Sequence, residues 1–324
     1  MTLITNEVWA TQRSLYGYKD VRPNPLMINI GQYNYIDIRT DLNSFLPHNL
    51  DEKISKKLIK FYLDKLKKNN YLHDKIEFKL IPTCYQSDLK NYLKNVLNKK
   101  EILINEKKLS DLTSKIIKPK FNTINKELDL IKKLQIESKK IYDSNLSEIQ
   151  KIFLLINICQ KYGTLPFAGL ARCSFISKKI FNNLIEENII KNIRSEKFFS
   201  SIKTVINEIN IDLFKLKNKR IKKKFFLEKY GHLRPSTYSI SNWSYREKIN
   251  YYFDINKIQQ NNIKNNFFKF TKNETQKINI WLKNNKLEFN AKELIKFTKQ
   301  SVYFREKAKF EFTKTIDQLF QIII

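Results

Sequence analysis

From Leu89 to the end of the chain, apolar residues recur at three- and four-residue spacings with few interruptions. This period constrains the fold more than any other feature, because it lets one helix after another bury a single face. Helices are expected near 88–105, 121–142 and 146–161, and from Pro166 to about Asn188. One or two more fall within 196–229, and others lie near 255–268, 274–286 and 291–320. Ser147 reads as a helix cap, and Pro166 as a first-turn residue whose missing N–H is tolerated there. The polar, aromatic stretch from Ser236 to Tyr252 reads as an ordered loop.

Residues 1–90 are more mixed. A helix over 3–16 is broken at Gly17 and then at Arg22-Pro23-Asn24-Pro25. Two short extended runs, Leu26 to Ile30 and Tyr33 to Ile38, flank Gly31-Gln32 and predict a hairpin. Asp51 is placed to cap a helix over 52–68. Ile76-Glu77-Phe78-Lys79-Leu80 alternates apolar and polar, which predicts one more strand. The expected fold is therefore mainly α, an irregular multi-helix arrangement with a small β-hairpin and short-strand element near the N-terminus. It divides softly into an α+β subdomain over 1–90 and a helical subdomain over 91–324. Both termini read as cut: the chain begins inside a helix and closes on apolar Leu319 to Ile324. A truncated or split product is therefore expected over a self-contained one.

With 324 residues, 42% apolar and 13% aromatic, the chain has enough material for a hydrophobic core. It holds no apolar run of about 18 residues, so no membrane span is expected. The first residues lack a secretory pattern. Cys84, Cys159 and Cys173 are far apart and read as small core residues in a reducing, cytoplasmic setting. The formal net charge is +29. Nine of the cations are arginine and 52 are lysine, spread along the whole chain, with Asn and Ile also abundant. Such a drift follows from A/T-rich codon usage, and a nucleic-acid surface is the lesser reading, since basic interaction tails come in blocks.

Against that lysine background an arginine marks a place that calls for a planar, bidentate fork. Arg22, Arg39, Arg172 and Arg234 sit in local sequence that departs from the Lys/Asn/Ile monotony. Each either pairs a buried carboxylate or contacts a ligand. The densest polar run is Glu228-Lys229-Tyr230-Gly231-His232-Leu233-Arg234-Pro235-Ser236-Thr237-Tyr238. There Arg234 could hold an anion, His232 act as donor or proton carrier, and Tyr238 orient a substrate. The alternative is a helix C-cap followed by a hydrogen-bonded turn. In Tyr162 to Arg172, Gly169 could let another element approach closely, and Arg172 is either an ion-pair partner at the core edge or a substrate contact. Asp37 and Arg39 read as sharing one face of a strand, as an internal salt bridge or a ligand site. Arg305 beside Phe297, Phe304, Ala308, Phe312 and Ile316 reads as structural. The candidate substrate-binding residues are thus Arg39, Arg172, His232, Arg234 and Tyr238.

Phosphate-cradling loops need clustered glycine, and the five glycines (17, 31, 163, 169 and 231) are isolated. The three histidines (48, 73 and 232) are far apart, and no His/Cys pair has ligand spacing. No catalytic residue, metal site or nucleophile elbow is assigned.

Val8-Trp9-Ala10-Thr11-Gln12-Arg13, Tyr16-Gly17-Tyr18-Lys19-Asp20-Val21-Arg22-Pro23 and the run from Asp37 to Phe45 resemble bacterial phosphoenolpyruvate synthase-like, or PEP/pyruvate-binding-domain, proteins. Leu72 to Phe78, Gly163 to Arg172 and Lys229 to Tyr238 continue the likeness, which covers most of the chain outside 90–145. In that family an ATP-grasp region binds ATP and a mobile domain carries a phosphohistidine. Rifampicin phosphotransferase is a distant relative with a helical substrate domain between those regions. The resemblance implies that this chain is the central helical segment of such an ATP-dependent phosphotransferase (kinase). It would work with ATP-binding and phosphohistidine domains supplied elsewhere and with a small-molecule phosphate acceptor. ATP and Mg are implied for the complete enzyme, not for this chain. Ser236 stands where the family commonly has Gly after Arg-Pro. A basic helical nucleic-acid binder, a scaffold and an inactive decayed fragment are the alternatives.

Overall fold

The computed structural model describes residues 7–31, 33–237, 239–255 and 267–324. A helix α1 (Val8–Tyr16) leads into a hairpin of β1 (Met27–Ile30) and β2 (Tyr33–Ile36), then α2 (Ile38–Asn43) and α3 (Glu52–Lys68). Next come α4 (Leu89–Leu93), α5 (Lys99–Ile117), α6 (Thr123–Tyr142), α7 (Glu148–Ile158) and α8 (Leu165–Glu186). The remainder is α9 (Asn192–Ser200), α10 (Val205–Lys217), α11 (Lys223–Tyr230), α12 (Tyr245–Tyr252), α13 (Lys272–Asn284) and α14 (Ala291–Ile323). The chain is therefore mainly α, with one two-stranded antiparallel hairpin near its N-terminus among the described residues.

Local chemistry sets most of these boundaries. Gly17 closes α1 at φ 98°, a left-handed conformation that favours glycine. Asp51 caps α3 by accepting from the Lys53 and Ile54 amides. Ser147 and Gln150 form a reciprocal capping box at α7.

Four expectations are corrected. Residues Ile76–Leu80 form one wide helical turn rather than a strand, closed by the Ile81 amide donating to the Ile76 carbonyl at 3.0 Å. The alternating pattern hides this, because the wide turn buries Ile76 and Leu80 together and leaves Phe78 exposed. Asp37 and Arg39 do not share a strand face. Asp37 caps α2, its Oδ1 accepting from the Thr40 amide at 2.6 Å, and Arg39 lies exposed in the first turn. The stretch expected as a loop over 236–252 becomes helical at α12, where Ser244 and Glu247 form a capping box. Region 196–229 holds segments of three helices rather than one or two. The helix expected near 255–268 falls mostly outside the described residues, as does the start of the helix expected over 3–16.

The core is built around the long α14, which packs along α8 and α6, while α1 crosses α8. Leu170, Cys173, Ile180, Phe181 and Leu184 of α8 meet Leu294, Phe297 and Ala308 of α14 in the main cluster. A second cluster joins α3 to the wide turn through Leu58, Tyr62, Ile76 and Leu80. Helix α5 spans both, with Leu109 in one and Leu112 in the other. Helices α7 and α8 are joined through a second wide turn, Cys159–Thr164. Pro166 has no N–H to give, and just before it the Leu165 amide reaches back to Gln160.

Candidate functional site

Five segments bring a set of polar side chains to one cavity of about 450 Å³. Helix α1 contributes Trp9, Gln12 and Arg13, which share one face by their three- and four-residue spacing. The same spacing on α8 sets Ala168, Ala171, Arg172 and Phe175 along its wall. The α2 region adds Ile38, Asp41 and Phe45, and the two wide turns add Ile76, Glu77 and Thr164. Wide turns of this kind recur at functional sites, and here both reach one cavity. Its volume falls in the range of small-molecule sites.

The two arginines are held differently. Arg13 Nη1 pairs with Asp41 Oδ1 at 2.6 Å and also donates to the Ser44 hydroxyl. Arg172 Nη2 pairs with Glu77 Oε2 at 2.6 Å. Both guanidiniums lie against the Phe45 ring, with Cζ 3.7 Å from its centroid for Arg13 and 4.9 Å for Arg172. Arg172 is only 5% exposed, yet its Nε and Nη1 have no hydrogen-bond partner; Gln12, 3% exposed, has an unpartnered Nε2. A buried donor left without an acceptor costs about 1–3 kcal/mol. All three atoms are closed off from solvent, within two residues whose other atoms line the cavity.

Beside this cavity, at Gly169 of α8, lies a buried trio. The Tyr16 hydroxyl donates to Glu127 Oε1 at 2.8 Å and lies 3.5 Å from Cys173 Sγ. A Cβ on Gly169 would stand 2.6 Å from the Tyr16 hydroxyl, so the glycine permits the close approach. Burial pushes the Glu127 carboxyl up to about 7, with the Tyr16 hydrogen bond opposing it.

The residues singled out from sequence do not converge. Arg172 lines the cavity just described. Arg39 lies on a different, open groove of about 480 Å³ with Lys19, Lys56, Lys60 and Lys67. Arg234 pairs with Asp317 of α14, and its Nη1 donates to the Asn242 carbonyl at 3.2 Å. Arg246 Nη1 meets the other oxygen of Asp317 at 3.1 Å. His232 is buried, and its Nε2 lies 3.1 Å from the Phe310 carbonyl. A carbonyl only accepts, so Nε2 carries the proton. Burial first, then the nearby Lys314 charge, depress its pKa to about 3, which leaves the ring neutral at ordinary pH and unsuited to carry a proton there. Tyr238 lies outside the described residues. Sequence reasoning does not single out Arg13 and Gln12, although the rule that selects Arg172 (an arginine in a lysine-rich chain) selects Arg13 equally well. Gln12 carries no such signal.

No family model matches the chain, and no curated protein or solved structure matches it significantly.

Proposed function

We propose that the chain is the central substrate-binding or connecting segment of a phosphoenolpyruvate synthase-like, ATP-dependent phosphotransferase. In this reading its cavity between α1, α2 and α8 seats the small-molecule phosphate acceptor. The observation that carries it is the buried Arg172, paired through one nitrogen and unpartnered through two, on the wall of a cavity of small-molecule size. The family placement itself rests on the sequence resemblance. In this proposal nucleotide binding and the phosphohistidine relay belong to other components of the assembly, a reading supported by the five glycines standing apart from one another in the sequence. Among the described residues no helix is long and apolar enough to cross a membrane, and a cytoplasmic setting belongs to the proposal.

The test uses γ-labelled ATP. The purified chain alone should transfer no label. Mixed with separately expressed nucleotide-binding and phosphohistidine segments of a phosphoenolpyruvate synthase-like enzyme, it should permit transfer to a small acceptor that the two segments alone do not label. ATP consumption by the isolated chain would overturn the reading. So would a complete mixture that labels no more acceptor than the two segments without the chain.

A further inference from the structure

Alternation along the strands sorts the β1–β2 hairpin into two faces. Its register pairs Met27 with Ile36 and Asn29 with Asn34 on one face, and Ile28 with Tyr35 and Ile30 with Tyr33 on the other. The first face turns inward: Met27 is buried, and Ile36 packs against Ala10, Val21 and Leu26. The same face holds the Asn29–Asn34 pair, Nδ2 donating to Oδ1 at 3.1 Å. The second face turns outward with four apolar side chains in the open, Ile28 at 37%, Ile30 at 59%, Tyr33 at 72% and Tyr35 at 50% exposure. A strand pair with one solvated side ordinarily keeps its polar residues there, and a one-residue slip of register would exchange the faces. Here the asparagines share the inward face, and the isoleucines and tyrosines point out. Such an inversion fits a face that another surface covers.

We infer that this face is an interface between two copies of the chain, packed outer face to outer face about a two-fold axis. Charge singles out a second copy. Residues 23–36 contain no Asp, Glu, Lys or Arg, the longest such run in the sequence. The chain as a whole carries +29, with lysines spread elsewhere, so two copies repel over most of their surface and least at the hairpin. An acidic partner would meet no cation among the four outward side chains, whereas a like face meets them without burying a charge. Area sets the strength. At those exposures two tyrosines and two isoleucines offer on the order of 500 Å² per copy, so two faces together bury about 1,000 Å², the size of a weak, reversible interface. The contact is isologous and closes on itself, so association stops at a dimer. It goes beyond the acceptor-site reading and stands whether or not that reading does.

The experiment is sedimentation velocity on the full chain between about 5 and 200 µM, the range in which an interface of this size associates. The expected result is a shift from monomer to dimer as concentration rises. The dimer fraction should grow between about 50 and 300 mM salt, because salt screens the repulsion and leaves apolar burial in place. Tyr33→Lys and Ile30→Lys each set a charge on the outer face and should weaken association at least about tenfold. Both positions are exposed, so the thermal midpoint at low concentration should stay that of the parent; either variant serves alone where the other fails to fold. Phe153→Lys, on the exposed side of α7 and at 69% exposure as open as the tyrosines, should leave association unchanged. A chain that stays monomeric throughout would overturn the inference, as would association that salt dissolves. So would a ladder of higher oligomers, which marks open-ended strand-edge pairing, or association that survives both hairpin variants or fails in Phe153→Lys.

Discussion

Burial raises the Glu127 carboxyl to about 7 from its ordinary 4.5. Between those two values the folded chain holds a proton that the unfolded chain has released. The stabilising contribution is therefore complete below about 4.5 and lost as pH rises through about 7, a difference of roughly 3 kcal/mol. Glu127→Gln should remove this dependence. Urea unfolding of parent and variant between pH 4.5 and 8 should converge at the acid end and separate at the basic end, with the variant the more stable. Parallel curves across that window would show that Glu127 ionises freely. His232 works in the opposite sense: its depressed pKa contributes stability above about 6.5 that is lost as pH falls toward about 3. Several arginines that stand out from the lysine background do use a fork or share a carboxylate. Arg22 grips Asp20 through two nitrogens, Arg194 grips Glu274 through Nε at 2.7 Å and Nη2 at 2.8 Å, and Arg234 and Arg246 divide Asp317. Residue type thus marks where planar recognition occurs, and geometry is needed to separate the internal pairs from Arg172.

Helix α8 meets α1 and α6 through Gly169, and the close approach is what places Glu127 against Tyr16. Gly169→Ala should destabilise the fold by about 1–3 kcal/mol through overpacking, read as a lowered thermal midpoint; an unchanged midpoint would mean that the helices slide apart at no cost. At this scale much of the fold is legible in the sequence. The hairpin around Gly31, the Asp51 cap and the Ser147 cap each come from chemistry confined to a few neighbouring residues. What stays hidden depends on partners far along the chain. The wide turn at Ile76–Leu80 exists because Ile76 and Leu80 face the α3 cluster while Glu77 reaches Arg172 of α8. An alternating pattern five residues long is equally compatible with a strand. Helix α12 is a different kind of miss, since Ser244 and Glu247 carry a capping-box pattern in plain sequence. Of the cavity's donors, Arg172 and Arg13 carry a signal in residue type alone, while Gln12 gains meaning only when α1 crosses α8.

The net charge of +29 acts on the molecule as a whole. Its lysines are distributed over many helices, and the open groove that holds Arg39 and Lys56 also holds Glu52 and Asp64. Retention on DNA or RNA should therefore be weak, indifferent to sequence, and lost steeply between roughly 50 and 200 mM salt. Sequence-dependent binding that survives the higher salt would instead favour a nucleic-acid partner. The walls of the Arg13–Arg172 cavity come from stretches as distant as Trp9 and Phe175, and Arg172 holds both Glu77 and the Phe45 ring. Peeling the N-terminal segment away from α8 would strip that guanidinium of its carboxylate and its ring in the same motion. Both contacts run from the N-terminal segment to one side chain of α8, so a single guanidinium fastens the two segments.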